Sequence, residues 1–296
     1  MLYLKNFTLP NRRDEDGYLL SFPYQLEMEC YSHTDVYPFK LFPDKGLTDI
    51  SFEPITIFYG GNGSGKSTLL NVISEKLGID RSSQFNNTPL MRSYLEMCSY
   101  SLASGAKAVP SRSRKIVSDD VFDLLLDVRA QNEGIDRARE RLFEEHYRIN
   151  ETPMPRFTSL AEHDEFKKCL EAKRSTKSAY VSKRIPKELK GSSNGESAYV
   201  YFTQKIEENA LYLLDEPENS LSPKLQKEMV SFIEDSARFY GCQFIISTHS
   251  PFLLAVKGAR IYDLDSSPVQ TKKWYELENV RAYHDFFKEN THLFQK

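Results

Sequence analysis

Gly60-Gly61-Asn62-Gly63-Ser64-Gly65-Lys66-Ser67 fits G-x-x-x-x-G-K-[ST] at every position. A backbone that wraps a polyphosphate must point its N–H groups inward, and glycine permits this by adopting positive φ. The preceding residues, Ile55-Thr56-Ile57-Phe58-Tyr59, are apolar and β-branched, the pattern of a buried central strand. The following stretch, Ser67 to Leu77, places Leu69, Leu70, Val72, Ile73 and Leu77 on one side of a helix, with Gly78 as its stop. Strand, glycine loop and helix in this order predict a phosphate cradle on a helix N-terminus. Gly60 to Thr68 are then the nucleotide-binding residues. Lys66 is expected to reach the β- and γ-phosphates and Ser67 to ligate Mg²⁺.

A second strand, Ala210 to Leu214, ends in two acids, Asp215 and Glu216. In a parallel sheet, ligands sit beyond the carboxyl ends of the strands, which brings Asp215 to the phosphates as a metal ligand. Glu216, one residue on, suits the general base that polarises the attacking water. Ser222-Pro223 then caps a helix in which Leu225, Met229, Ile233 and Ala237 recur every four residues. Gln243 to Thr248 is a third strand, and Ile261 to Leu264 and Val280 to Lys288 are read as a further strand and a closing helix.

Gly61-Asn-Gly-Ser-Gly-Lys-Ser-Thr68 and Leu213-Leu-Asp-Glu-Pro-Glu-Asn-Ser-Leu-Ser-Pro223 resemble the Walker A segment and the Walker B plus D-loop segment of ABC-type ATPases. The Asp-Glu-Pro-Glu variant is similar to the SMC/RecF/OLD-like branch of soluble AAA-annotated ATPases. Thr248-His249-Ser250-Pro251, after a strand, resembles the switch-histidine segment, which implies a γ-phosphate contact for His249. Ser193-Asn194-Gly195-Glu196 falls where the family carries its signature motif. Ser193 and Gly195 match that motif, whereas Asn194 replaces a glycine and Glu196 a glutamine. In the family this segment caps the γ-phosphate held by the partner subunit. The family's Q-loop glutamine has no counterpart: Gln84 and Gln131 are poorly placed, and Ile116-Val117 is followed by Ser118-Asp119-Asp120. Tyr37, Phe39 and Phe42 are the aromatic candidates for stacking on adenine.

The resemblance implies an α/β P-loop NTPase, ABC-ATPase-like, with a mixed or parallel central sheet. Residues 1–80 and 191–296 are expected to form the nucleotide-binding domain, with a β-rich N-terminal part. Residues 81–190 are expected to be a mainly helical insertion. Within the insertion, Lys167 to Lys190 carries nine Lys or Arg against two Glu, with Tyr180 interleaved. That stretch is either a phosphate-backbone contact for nucleic acid or a solvated helical face.

The 296 residues carry a net charge of −3, so any nucleic-acid contact must be a local patch. No run of 18 apolar residues predicts a membrane span. The four cysteines stand far apart, and the N-terminus lacks a signal-peptide pattern, so a cytoplasmic protein with reduced thiols is expected. The functional expectation is an ATP-driven homodimer switch in DNA repair, mobile-element or defence processes, hydrolysing Mg-ATP. The alternative is a regulatory ATP-binding module whose protein partner carries the effector activity. A transporter subunit fits less well. With the chain ending at Lys296, about forty residues past His249, a nuclease activity is expected to reside in a separate protein.

Overall fold

The computed structural model describes residues 1–20, 36–81, 88–153, 163–185, 194–219 and 221–294. Tyr24 to Cys30, whose apolar–polar alternation predicts a half-buried strand, lie outside the described residues, as do Gln84 and Ser193. The chain divides into two units, Met1–Val121 with Ser193–Lys296, and Phe122–Ser192.

Ten strands are found among the described residues of the first unit: β1 (Leu4–Thr8), β2 (Asp49–Ser51), β3 (Ile55–Tyr59), β4 (Asp80–Arg81), β5 (Ser99–Leu102), β6 (Arg114–Val117), β7 (Leu211–Asp215), β8 (Gln243–Thr248), β9 (Arg260–Asp263) and β10 (Gln270–Lys272). Seven form one sheet in the order β10-β9-β3-β8-β7-β6-β4, and three form an antiparallel sheet, β2-β1-β5. In the large sheet only β10 runs antiparallel. This is the expected α/β architecture with a mixed, mostly parallel sheet. Every residue of β3, β7 and β8 is buried, as the continuous apolar runs predict.

Register positions the site. Tyr59 pairs with Thr248, Asp215 with Ser247, and Val117 with Asp215. The carboxyl ends of β3, β8, β7 and β6 therefore align, and the loops that follow them leave from one edge. The helix Lys66–Leu77 packs Leu69, Leu70 and Ile73 into the same core as Phe58, Leu213 and Ile245.

A fully buried Gln243 joins the two sheets. Its Oε1 accepts from the N–H groups of Tyr3 (2.8 Å) and Leu4 (2.9 Å), and its Nε2 donates to the Leu4 carbonyl (2.9 Å). One side chain thus supplies partners to the backbone of Tyr3 and Leu4, beside the pairing of Leu4 with Leu102 on β5.

Two local readings change. Asn11 to Gly17 is turn-like in sequence, yet Arg12–Leu19 is a helix, because Asn11 and Asp14 form a reciprocal capping box. The insertion also starts later than residue 81. β4 and β6 complete the large sheet and β5 the small one, so residues up to Val121 belong to the first unit.

The second unit is helical, comprising the bulk of Ser118–Glu151 together with His163–Arg174 and Lys177–Ser182. Ala172, Tyr180 and Val181 form its small core with Leu142, Phe143 and Ile149. Much of the basic stretch is used internally. Arg184 lies over the Tyr180 ring at 3.8 Å and bonds Glu171 at 2.6 Å. Lys168 pairs with Glu145 at 2.5 Å, Lys173 donates to the Thr152 carbonyl, and Lys177 sits over Phe143. Tyr180 is fully buried with its hydroxyl on Glu145, so it is not an exposed stacking surface. These contacts tie much of Lys167–Arg184 into the helical unit; Lys187 and Lys190 lie outside the described residues.

Candidate functional site

The loop from Gly60 to Gly65 turns between β3 and the helix Lys66–Leu77, with Gly63 (φ 79°) and Gly65 (φ 97°) in the left-handed region. A Cβ on Gly60 would stand 2.5 Å from Ser64 Oγ, so only glycine fits there. Asp265, beyond β9, braces the loop by accepting from the Gly61 N–H at 2.8 Å. The Lys66 side chain is almost fully buried. Its ammonium donates to the carbonyls of Gly60 (2.7 Å) and Gly61 (3.0 Å) and lies 3.4 Å from Glu216 Oε1.

Ser67 Oγ donates to Asp215 Oδ1 at 3.0 Å, and Ser247 Oγ donates to the same oxygen. A hydroxyl and a carboxylate side by side are hard oxygen donors, the type Mg²⁺ takes, and they fit the expected ion. Glu216 has φ +48°, a left-handed conformation costing a non-glycine residue about 1–2 kcal/mol. Two bonds hold it there: its N–H donates to the Ser247 carbonyl at 3.0 Å, and Asn219 Nδ2 donates to its Oε2 at 3.1 Å. The reversal turns Glu216 out of the strand direction that Asp215 follows.

Two clefts flank these residues. One, about 450 Å³, is lined by Tyr37, Leu41, the loop from Asn62 to Thr68, and Glu216. The other, about 390 Å³, is lined by Ser67, Asn71, Arg81, Lys115, Asp215 and Asn219 among others. Of the three aromatic candidates, Phe39 and Phe42 are buried in the core, whereas Tyr37 lines the first cleft and donates to Thr68 Oγ1 at 3.0 Å. At the end of β6, where the family's glutamine was sought, Ser118 and Asp119 line the second cleft.

Lys115 and Glu218 are the residues that sequence reasoning missed. Lys115, on β6, is buried with its Nζ 3.7 Å from Asp215 Oδ2 and a hydrogen bond to Asn71 Oδ1. Burial pushes its ammonium down to about 8, against the opposing pull of Asp215. Glu218, the second acid of Asp-Glu-Pro-Glu, is buried and grips the end of β8. Its Oε1 accepts from Thr248 Oγ1 (2.6 Å), the His249 N–H (2.9 Å) and the Ser250 N–H (3.2 Å). Burial raises its carboxyl, and these donors pull the other way. His249 Nδ1 lies 3.4 Å from the same oxygen with the ring half-exposed, and Asn279 donates to the His249 carbonyl at 3.3 Å. Glu218→Ala removes the acceptor of Thr248 Oγ1 and of the His249 N–H and leaves the Ser250 N–H with Thr248 Oγ1 alone, an expected loss of about 2–4 kcal/mol in a denaturant melt. Glu218→Gln keeps the acceptor oxygen, and its midpoint is expected to stay much closer to the parent protein's.

The structure thus brings Lys66 beside Glu216 and Ser67 beside Asp215. Among the described residues, neither cleft is lined by His249, Gly195 or Glu196. Gly195 and Glu196 occupy the first turn of the helix Asn194–Lys205.

No curated protein matches the chain. The similar solved structures include the SMC head domain from Thermotoga maritima, at 14% identity over 92% of this chain and 99% of that one, with a TM-score of 0.37. They also include the Smc head domain with an extended coiled coil bound to the C-terminal domain of ScpA, from Pyrococcus furiosus, at 14% identity, 82% and 95% coverage and a TM-score of 0.36. A dimeric post-hydrolysis ATP-binding cassette bound to ADP and Pi matches at 14% identity, 76% and 88% coverage and a TM-score of 0.34. A family described as "AAA domain, putative AbiEii toxin, Type IV TA system" matches residues 99–255, a span that takes in Lys115, both acids and His249 and begins after the phosphate loop. With more than half of its length inside that match, and with an ABC-type P-loop and acid pair on a mostly parallel sheet, the chain belongs to this AAA domain family of P-loop ATPases.

Proposed function

We propose that the protein binds Mg-ATP and hydrolyses it, working as an ATP-driven homodimer switch. The observation that carries this is the convergence of Lys66, Ser67, Asp215 and Glu216 at one sheet edge, with Lys66 and Glu216 3.4 Å apart. On ATP entry Lys66 exchanges the Gly60 and Gly61 carbonyls for the β- and γ-phosphate oxygens, a charge-assisted contact. Mg²⁺, held by Ser67 Oγ and Asp215, would neutralise phosphate charge in the transition state. Glu216, oriented by Asn219, takes a proton from the attacking water as its oxygen bonds the γ-phosphorus and the bond to the bridging oxygen breaks. His249, anchored by Glu218, contacts the γ-phosphate.

The signature segment from Ser193 to Glu196 completes the partner's site, giving two composite sites about a two-fold axis. That neither cleft is lined by Gly195 or Glu196 supports a role in trans. The matching family's description, which names a type IV toxin–antitoxin system, supports the defence branch of the expected processes. The test is sedimentation. Glu216→Gln protein with Mg-ATP is expected to run as a dimer, and the additional Ser193→Arg change to return it to monomer while leaving ATP bound. A nucleotide-loaded Glu216→Gln protein that stays monomeric at high concentration removes the composite-site arrangement.

A further inference from the structure

Lys115 is a buried charged residue of this site for which the proposed hydrolysis has no use. β6 lies beside β7, with Val117 opposite Asp215, so Lys115 enters the site from the neighbouring strand. Its side chain is 1% exposed. A buried ammonium is costly unless paired, and two groups meet this one: Asp215 Oδ2 at 3.7 Å and Asn71 Oδ1. Asn71 stands one helical turn after Ser67, on the same face, and its Oδ1 also accepts from Arg81 at 2.9 Å.

The other oxygen of Asp215 is equally engaged, by Ser67 at 3.0 Å and by Ser247. Both carboxylate oxygens are thus held by the protein itself. The neighbouring acid repeats the arrangement, with Lys66 against Glu216. Among the described residues no group of three or more His, Cys, Asp or Glu could hold a metal ion alone. A divalent cation approaching the nucleotide-free protein therefore meets one carboxylate already neutralised by a fixed ammonium. Two cations sharing one carboxylate at this range repel, and the buried Lys115 has no solvent route of retreat. A bound polyphosphate changes the balance, because it brings several negative charges and its own oxygen ligands.

We infer that Lys115 is a built-in counter-ion of Asp215 that suppresses metal binding by the free protein, so that the divalent ion enters only together with the nucleotide. This rests on the reading of Ser67 and Asp215 as metal ligands.

The experiment measures Mn²⁺ binding by electron paramagnetic resonance, with and without a non-hydrolysable ATP analogue. Removing a like charge at this distance is worth roughly one to three powers of ten, so nucleotide-free Lys115→Met is expected to bind Mn²⁺ at least about tenfold tighter than the parent protein. Lys115→Arg, which keeps the charge, is expected to match the parent. Adding Asp215→Asn to Lys115→Met is expected to erase the gain. Equal Mn²⁺ affinity of the nucleotide-free parent and Lys115→Met overturns the inference, and so does a gain that survives Asp215→Asn. If the nucleotide-dependent Mn²⁺ signal also persists in Asp215→Asn alone, it is the reading of Asp215 as a ligand that fails. Should Lys115→Met not give a cooperative melt, the parent protein decides: tight Mn²⁺ binding without nucleotide, equal to that with it, overturns the inference on its own.

Discussion

ATP affinity is expected to fall by roughly a hundredfold when Lys66 is replaced by alanine. The estimate follows from one lost charge-assisted contact to the β- and γ-phosphates, about 2–3 kcal/mol. Lys66 is 4% exposed, and its ammonium is held within 3.4 Å of two loop carbonyls and Glu216. In the free protein it thus fills the cradle that the phosphates are to occupy, with its charge aimed at them. The helix behind it starts at Lys66 and runs to Leu77 with a buried apolar side, so its packing does not depend on the ammonium. Lys66→Ala is therefore expected to fold, and calorimetric titration with Mg-ATP reads the binding directly. A variant that binds and turns over ATP like the parent protein would end the nucleotide-site assignment.

Glu216→Gln is expected to lower kcat by about 10²–10⁴-fold, the usual weight of a lost general base. Nucleotide affinity is expected to hold or rise, because the change removes the carboxylate that competes for Lys66 at 3.4 Å. Glutamine keeps the oxygen that accepts from Asn219, so the left-handed turn at this position stays supported. Single-turnover phosphate release beside equilibrium binding separates the two effects. Asp215→Ala is the contrast. It strips Ser67 and Ser247 of their acceptor and leaves Lys115 buried without its counter-charge, so metal-dependent binding and stability fall together. Hydrolysis at the parent rate by Glu216→Gln would move the base elsewhere, with His249 the next candidate.

The parts of the site that were legible in the sequence are those whose chemistry is written in consecutive residues. The glycine loop, the strand ending in Asp215-Glu216 and the strand ending at His249 each announce themselves by local composition, and parallel pairing aligns their ends. Lys115 was hidden because it closes a small, basic run, Ala103 to Lys115, and nothing in that run shows the four-residue strand Arg114–Val117 slotting beside β7. Its meaning lies in a partner 100 residues away. Glu218 was visible only as a letter in Asp-Glu-Pro-Glu; its partners at and just beyond the end of β8 are 30 to 32 residues on. Tyr37 could not be told from Phe39 and Phe42 because all three are aromatic, and burial alone separates them. The start of the insertion was misplaced for a related reason. Short strands with polar residues, such as β4 and β5, carry no periodic signal and are recruited by the sheets they complete.

The Gln243 bridge has a consequence for how the chain is made. Tyr3 and Leu4 are synthesised 240 and 239 residues before the side chain that satisfies their backbone groups. At roughly 5–20 residues per second, the ribosome takes about 12–50 s to cover that distance. β2 and β5 emerge earlier and can flank β1, but they cannot supply the contacts that Gln243 makes to Tyr3 and Leu4. Throughout that interval the N–H groups of Tyr3 and Leu4 and the Leu4 carbonyl lack the side chain that bonds them in the finished protein. Translation halted before residue 243 leaves those groups without that partner, so the side chain that ties the small sheet to the large one is in place only near the end of synthesis.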